Sequence, residues 1–299
     1  MVKDFITFLD YTEAELTSFL NLSEILRDAW HTKVTPQNLQ GKSIALIWDA
    51  EGFRNRVSFE LGIAAMGGVA IQIPGKIDER EAIEDVVAYL DNWFDGIVAR
   101  TTTHTHMQRI AKAAGIPVVN ARTDFNHPCE LLGDLAYIRA QRGGLEDLKV
   151  AFVGDATNLC RSWFEAAARL PIQVIQICPK EYSVDPQFLS VLQQKAIGAL
   201  EVVHDLDTGL RNANVVYTDC WPKRSSQEEH EYITRRFLPY QITSAKLRQA
   251  APDVLFLPCP PVTRGEEVSE DAMAYLGRQV YEAKKYLLHA QNAVLTTVI

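Results

Sequence analysis

The chain has 299 residues, and its 47% apolar and 23% charged composition excludes a disordered or fibrous protein. At roughly 150 residues per domain that length predicts two domains. Thirty Lys and Arg against 38 Asp and Glu give a net charge of -8, which leaves no basic footprint for nucleic acid or an anionic membrane. The five cysteines are widely spaced and form no Cys-x-x-Cys pair, so reduced thiols are expected. The N-terminus shows no signal-peptide pattern, and no apolar run approaches about 18 residues. These features predict a cytoplasmic protein with no membrane partner.

Thr12 and Glu15 form a capping box, after which Leu16, Phe19, Leu20, Leu26 and Trp30 recur at helical spacing. Pro36 and Gly41 close that segment. Short apolar runs bounded by Gly, Asp, Asn or Pro then predict strands at Ser43–Trp48, Val69–Ile73, Gly96–Ala99 and Pro117–Asn120. Helical stretches between them include Val57–Met66 and Met107–Ala114. The pattern repeats with strands at Lys149–Val153, Gln173–Ile177, Leu200–Val203, Val215–Thr218 and Asp253–Leu257. Val- and Ile-rich strands alternating with helices imply an α/β fold of two doubly wound parallel-sheet domains. Leu131, Leu132, Leu135 and Ile138 form a helical stripe that ends at Gly143-Gly144 and marks the interdomain seam. A last helix is predicted over Asp271–Ile299, with apolar Met273, Leu276, Val280 and Leu287.

Open parallel sheets bind ligands beyond the carboxyl ends of their strands, so the residues after each strand carry the functional signal. After Ser43–Trp48, Gly52 loosens a turn into a helix that begins near Arg54. Its free N–H groups favour an anion, and Arg54 and Arg56 point apart, so that one faces the anion while the other pairs with a carboxylate such as Glu60. By itself this is a surface ion-pair helix. Arg100 ends the third strand, and His127-Pro128 opens a helix with Pro in its first turn. His104 and His106, an i, i+2 pair without a carboxylate or thiol at ligand spacing, give no metal site. Gly154 is one glycine where a dinucleotide fingerprint needs three, so no cofactor is assigned. Lys223 and Arg224, after the strand Val215–Thr218, can meet a carboxylate or stand as loop charges. Cys259 has no His near it in sequence to make it a nucleophile.

In order along the chain, these motifs resemble the aspartate/ornithine carbamoyltransferase family, nearest its ornithine type. Arg54-Asn55-Arg56-Val57-Ser58-Phe59-Glu60 is similar to that family's carbamoyl-phosphate loop, Ser-Thr-Arg-Thr-Arg, with Gly52, Phe53 and Asn55 replacing the hydroxyl residues. Arg100-Thr101-Thr102 is similar to Arg-Thr-Phe, and His127-Pro128-Cys129-Glu130-Leu131-Leu132-Gly133-Asp134 to His-Pro-x-Gln-x-Leu-x-Asp. Gly154-Asp155-Ala156-Thr157-Asn158 matches Gly-Asp-x-x-Asn. Asp219 and Trp221 are kept from Asp-x-Trp-x-Ser-Met-Gly, while Lys223 and Arg224 stand where Ser-Met-Gly is lost. Pro258-Cys259-Pro260-Pro261 stands for His-Cys-Leu-Pro, followed by Arg264-Gly265-Glu266-Glu267. Leu288–Leu295 resembles the closing helix.

The resemblance implies transfer of a carbamoyl group from carbamoyl phosphate to the amino group of ornithine or a related amine. It implies His127, Arg100 and Arg264 as catalytic residues, and Gly52, Phe53, Arg54, Asn55, Arg56 and Glu130 as further contacts of carbamoyl phosphate. Asn158, Asp219, Lys223, Arg224, Cys259 and Pro260 would meet the acceptor. Residues 1–130, with a C-terminal helix at about 280–299, would bind carbamoyl phosphate, and 131–279 the acceptor. A homotrimer is implied, with Lys76 or Arg80 reaching a neighbour's phosphate. The replaced residues leave two alternatives: a non-catalytic binding or regulatory member, or a transferase with a changed donor.

Overall fold

A computed structural model describes residues 4–49, 51–74 and 76–299. Met1–Lys3, Ala50 and Gly75 lie outside the described residues, as does the side chain of Leu276. The chain divides into two compact units, Met1–Tyr137 with Lys284–Ile299, and Ile138–Ala283.

The first unit contains α1 (Glu13–His31), β1 (Ser43–Trp48), α2 (Phe53–Ala65), β2 (Val69–Ile73), α3 (Ile83–Leu90), β3 (Gly96–Arg100), α4 (His104–Ala113) and β4 (Val118–Arg122). The helix α5 (Pro128–Arg142) follows and runs through the boundary between the units. The four strands form one parallel sheet in the order β2-β1-β3-β4. Ala45, Ile47, Ile97 and Ala99 alternate onto one face of it, over Ile83 and Val87 of α3 and Met107 and Ile110 of α4. The capping box at the start of α1 is present in full, with Thr12 and Glu15 each satisfying the other's backbone N–H.

The second unit contains β5 (Lys149–Val153), α6 (Asn158–Arg169), β6 (Gln173–Ile177), α7 (Pro186–Gln193), β7 (Ala199–Val203), α8 (Leu206–Leu210) and β8 (Val215–Thr218). After them come α9 (Gln227–Phe237), α10 (Ser244–Leu247), β9 (Leu255–Pro258), α11 (Glu270–Leu276) and α12 (Gln279–Val298). Its parallel sheet has the order β7-β6-β5-β8-β9. In each sheet the strand order reverses beside the unit's first strand. The residues following β1 and β3, and those following β5 and β8, therefore flank a topological switch point, where such sheets hold ligands.

The two doubly wound sheets agree with the fold read from the strand–helix alternation. One predicted element differs. The C-terminal stretch is two helices, because Gly277 stands at φ +54° and ends α11 before α12 begins.

Helix α12 returns to the first unit and lies close to α5. A Cβ placed on Gly133 would come within 2.9 Å of the Leu287 Cα, an atom of the α12 backbone that has no rotamer by which to yield. Gly133→Ala is therefore expected to lower stability by about 1–3 kcal/mol, the scale of an overpacked contact. A reduced urea midpoint with unchanged secondary structure would show this, and an unchanged midpoint would contradict the close approach.

Candidate active site

In the first unit the site is built at the ends of β1, β3 and β4. Helix α2 begins at Phe53 with Gly52 as its N-cap, and no side chain caps it. Its first-turn N–H groups and the positive end of the helix dipole form a place for an anion. Gly52 has φ +157° and ψ 67°. An added Cβ there would lie 2.5 Å from the Arg100 Cζ, so the absent side chain is the room that the Arg100 guanidinium takes. A register shift between Ala99 and Arg100 re-aims this buried arginine at the strand tip. The Arg54 guanidinium stands 5.0 Å over the ring of Phe53, which is 67% exposed. Arg56 turns elsewhere: its Nε is 3.5 Å from Glu60, and its Nη1 donates to Gln72 of β2 at 3.3 Å.

A locked turn precedes α5. Asn120 donates to the Asn126 side-chain oxygen at 2.7 Å, and the Thr123 hydroxyl accepts from the backbone N–H of Phe125 and of Asn126. Pro128 then opens the helix, with His127 immediately before it and Glu130 in its first turn. Both side chains are buried, with the His127 Nε2 at 3.7 Å from a Glu130 oxygen. Burial drives the His127 pKa down to about 3; Glu130 opposes the shift, and the charges of Arg100, Arg122 and Lys284 add to it. The imidazole is therefore neutral at ordinary pH, and a hydrogen bond from its N–H can polarise a carbonyl without any proton leaving the ring.

Burial alone would push the Glu130 carboxyl up, but the Lys284 ammonium and the Asn55 amide together hold it below its usual range. Lys284 Nζ is 2.6 Å from one oxygen of Glu130 and 2.8 Å from Asp134 Oδ1. Asn55 Nδ2 donates to the other oxygen at 3.0 Å, and Gln291 Nε2 donates to the Asn55 oxygen, also at 3.0 Å. Lys284 further lines a cavity of about 470 Å³ with Trp30, Phe53, Arg54, Val57, Leu61 and His289.

Asn55, His127 and Glu130 thus meet, and Arg100 lies against Gly52. Asn55, expected as a direct ligand contact, has its amide engaged by Glu130 and Gln291. Lys284 was not among the expected residues. Its signal is the spacing of Lys284 and Gln291 seven residues apart, which puts the two polar groups on one stripe of the closing helix. His104 Nδ1 sits 3.3 Å from the Thr123 hydroxyl, and His106 Nε2 is 3.5 Å from Asp78.

In the second unit Asn158 is the first residue of α6, which Thr157 caps, and Asn158 is buried. The Asp219 carboxylate accepts from the Cys220 N–H at 2.9 Å. Buried Cys259 donates its N–H to the Thr218 carbonyl at 2.8 Å, and its thiol is directed at the carbonyl of Pro260. Trp221 packs with Ile233 and Phe237. Lys223 is exposed, whereas Arg224 donates to Glu266 at 2.7 Å and is therefore committed to a carboxylate of its own chain. Arg264 makes a solvent-exposed pair with Glu270 at 3.5 Å.

The chain matches two family models. Residues 3–140 match the aspartate/ornithine carbamoyltransferase carbamoyl-P binding domain, and 146–298 the Asp/Orn binding domain. It is 33% identical to the ornithine carbamoyltransferase of Thermococcus kodakarensis, over 99% of this chain and 96% of that one. It is equally 33% identical to that of Chlorobaculum tepidum, over 99% and 90%. Among solved structures, ornithine carbamoyltransferase from Pyrococcus furiosus superposes with a TM-score of 0.92 at 32% identity, covering 98% of this chain and 96% of that one. Among the described residues no helix is long and apolar enough to cross a membrane.

Beside the acceptor-side motif, Glu267 is buried. One oxygen accepts from the Thr263 N–H at 2.5 Å, and the other has no hydrogen-bond partner among the described residues. Burial, with Glu266 and Asp219 adding negative charge, raises its pKa from 4.5 to about 7. The folded state therefore holds this proton more tightly than the unfolded state does. The stability it confers is complete below pH 4.5 and is lost as pH rises to about 7. Glu267→Gln should flatten the fall in urea midpoint across that window, whereas a fall of unchanged slope would contradict the assignment.

Proposed function

Because the chain belongs to the aspartate/ornithine carbamoyltransferase family, we propose that it transfers the carbamoyl group of carbamoyl phosphate to the amino group of ornithine. The observation that carries this reading is the neutral His127 imidazole at the tip of α5, beside Arg100 and the uncapped start of α2. Carbamoyl transfer needs a dianion held, a carbonyl polarised and an amine aimed at carbon, and it needs little acid–base apparatus.

In this reading Arg54, Arg100, Arg264 and the first-turn N–H groups of α2 hold the phosphate. Gly52 and Phe53 shape its loop, and Asn55 and Arg56 support that loop from behind through Glu130 and Glu60. His127 donates a hydrogen bond to the carbonyl oxygen as negative charge builds there. Asp219 and Asn158 hold the amino acid, with Cys259 and Pro260 beside its reacting amine and Lys223 toward its carboxylate. The amine lone pair forms the new C–N bond, the carbon–oxygen bond to phosphate breaks, and the departing phosphate takes the amine proton. Residues up to α5, with α12 from Lys284 onward, form the carbamoyl-phosphate domain, and those between form the acceptor domain.

The working assembly in this proposal is a cytoplasmic homotrimer. Phe53, Val57 and Leu61 on α2 and Val69 and Ile71 on β2 are exposed apolar residues on adjoining elements, which the Arg56–Gln72 hydrogen bond ties together. A neighbouring copy would cover this face and bring Lys76 or Arg80 of its loop after β2 toward the phosphate.

Purified protein should release phosphate from carbamoyl phosphate only when ornithine is present; no ornithine-dependent release would overturn the assignment. His127→Ala should lower kcat by ~10²–10³-fold with the fold intact. The assembly is tested by sedimentation equilibrium. The native chain is expected at three times its monomer mass and Leu61→Asp at a smaller mass, while a native monomer would contradict the trimer.

A further inference from the structure

The first unit holds a cavity to which the proposed transfer gives no occupant. Its volume of about 470 Å³ is in the ordinary range for small-molecule sites, and it lies between the end of α1, one face of α2 and the start of α12. Trp30, Val57 and Leu288 give it apolar walls, and Arg54, Lys285 and His289 bring nitrogen to it. Among the described residues no acidic side chain lines it.

His289 is the informative wall. It is 3% exposed, and its Nδ1 has no hydrogen-bond partner among the described residues. Buried polar groups are ordinarily satisfied, so an imidazole nitrogen left open beside a cavity marks a place for a partner from outside the chain. Burial lowers the His289 pKa to about 4, with His31 and Arg27 adding to the shift and Asp28 opposing it. The ring is therefore neutral at ordinary pH and carries one N–H. It meets Trp30 edge to face with centroids 6.1 Å apart, an aromatic wall against which another ring can lie. Arg54 stands over Phe53 and has no carboxylate partner among the described residues.

We propose that this cavity is an inhibitory site for an amphipathic monocarboxylate. An aromatic body lies against Trp30, Val57 and Leu288, and the carboxylate accepts from the His289 N–H and pairs with Arg54. Arg54 is also assigned above to the phosphate, so an occupant that takes its guanidinium weakens carbamoyl-phosphate binding. That consequence rests on the proposed function, whereas the site itself does not.

The probe is phenylacetate, titrated calorimetrically into the full-length protein beside its neutral amide, phenylacetamide, and beside acetate, which lacks the ring. The acid is expected to bind about tenfold tighter than either, the scale of one hydrogen bond to a charged group. His289→Phe keeps a ring and removes the nitrogens, so it should lose most of the acid's advantage over the amide. Leu288→Trp fills the cavity and should abolish binding of both. Carbamoyl phosphate should bind several-fold more weakly when phenylacetate is saturating. Equal binding of acid and amide, an acid affinity that neither substitution changes, or no binding at millimolar concentration overturns the proposal. In a protein shown to be trimeric, that last result means that the neighbouring copy fills the cavity. Bound acid that leaves carbamoyl-phosphate affinity unchanged overturns the inhibitory role. A protein that binds the acid but no carbamoyl phosphate overturns the transfer reading and the inhibitory role with it, and the site alone stands.

Discussion

Glu130 cannot be buried as a carboxylate unless a cation and N–H donors meet it, and two helices converge on the start of a third to provide them. Lys284 comes from α12, Asn55 from the first turn of α2, and the start of α5 presents the acid itself. Removing one partner of such a buried pair typically costs about 3–5 kcal/mol, because the remaining charge is stranded. The relative placement of α2, α5 and α12 is therefore tied to a single carboxylate. His127 shares that environment: the burial that makes Glu130 depend on Lys284 also keeps the imidazole neutral.

The same constraint reaches the loop between β1 and α2. With Gly at position 52, Arg100 lies against the loop backbone, where a side chain would collide with its guanidinium. With Asn at position 55, the loop gains an amide that bridges Gln291 and Glu130. Glu130 and Asn55 belong together, the amide donating to the acid at 3.0 Å. Together these residues form a buried polar network that stiffens the loop from behind.

Much of the fold was legible in the chain because parallel strands buried on both faces are written as short Val- and Ile-rich runs with clear punctuation. The break between α11 and α12 escaped, since the apolar spacing continues across Gly277 and only a positive φ ends the first helix. At the site, the i, i+4 pairing of Arg56 with Glu60 was readable, because both partners lie on one helix. The partners of Glu130 were not: sequence places the acid near a dianion without its counter-ion, and Lys284 arrives through tertiary folding alone. Arg224 escaped for the same reason. It looked available to a ligand until the loop after β9 brought Glu266 to it.

The most direct test of the account is a crystal structure of the chain with phosphonoacetamide, a stable compound that joins a phosphonate to a primary amide. The account predicts the phosphonate at the start of α2 against Arg100, the amide oxygen within hydrogen-bond distance of His127, and the amide nitrogen facing Glu130. An amide turned the other way, or a ligand seated away from His127, would contradict it.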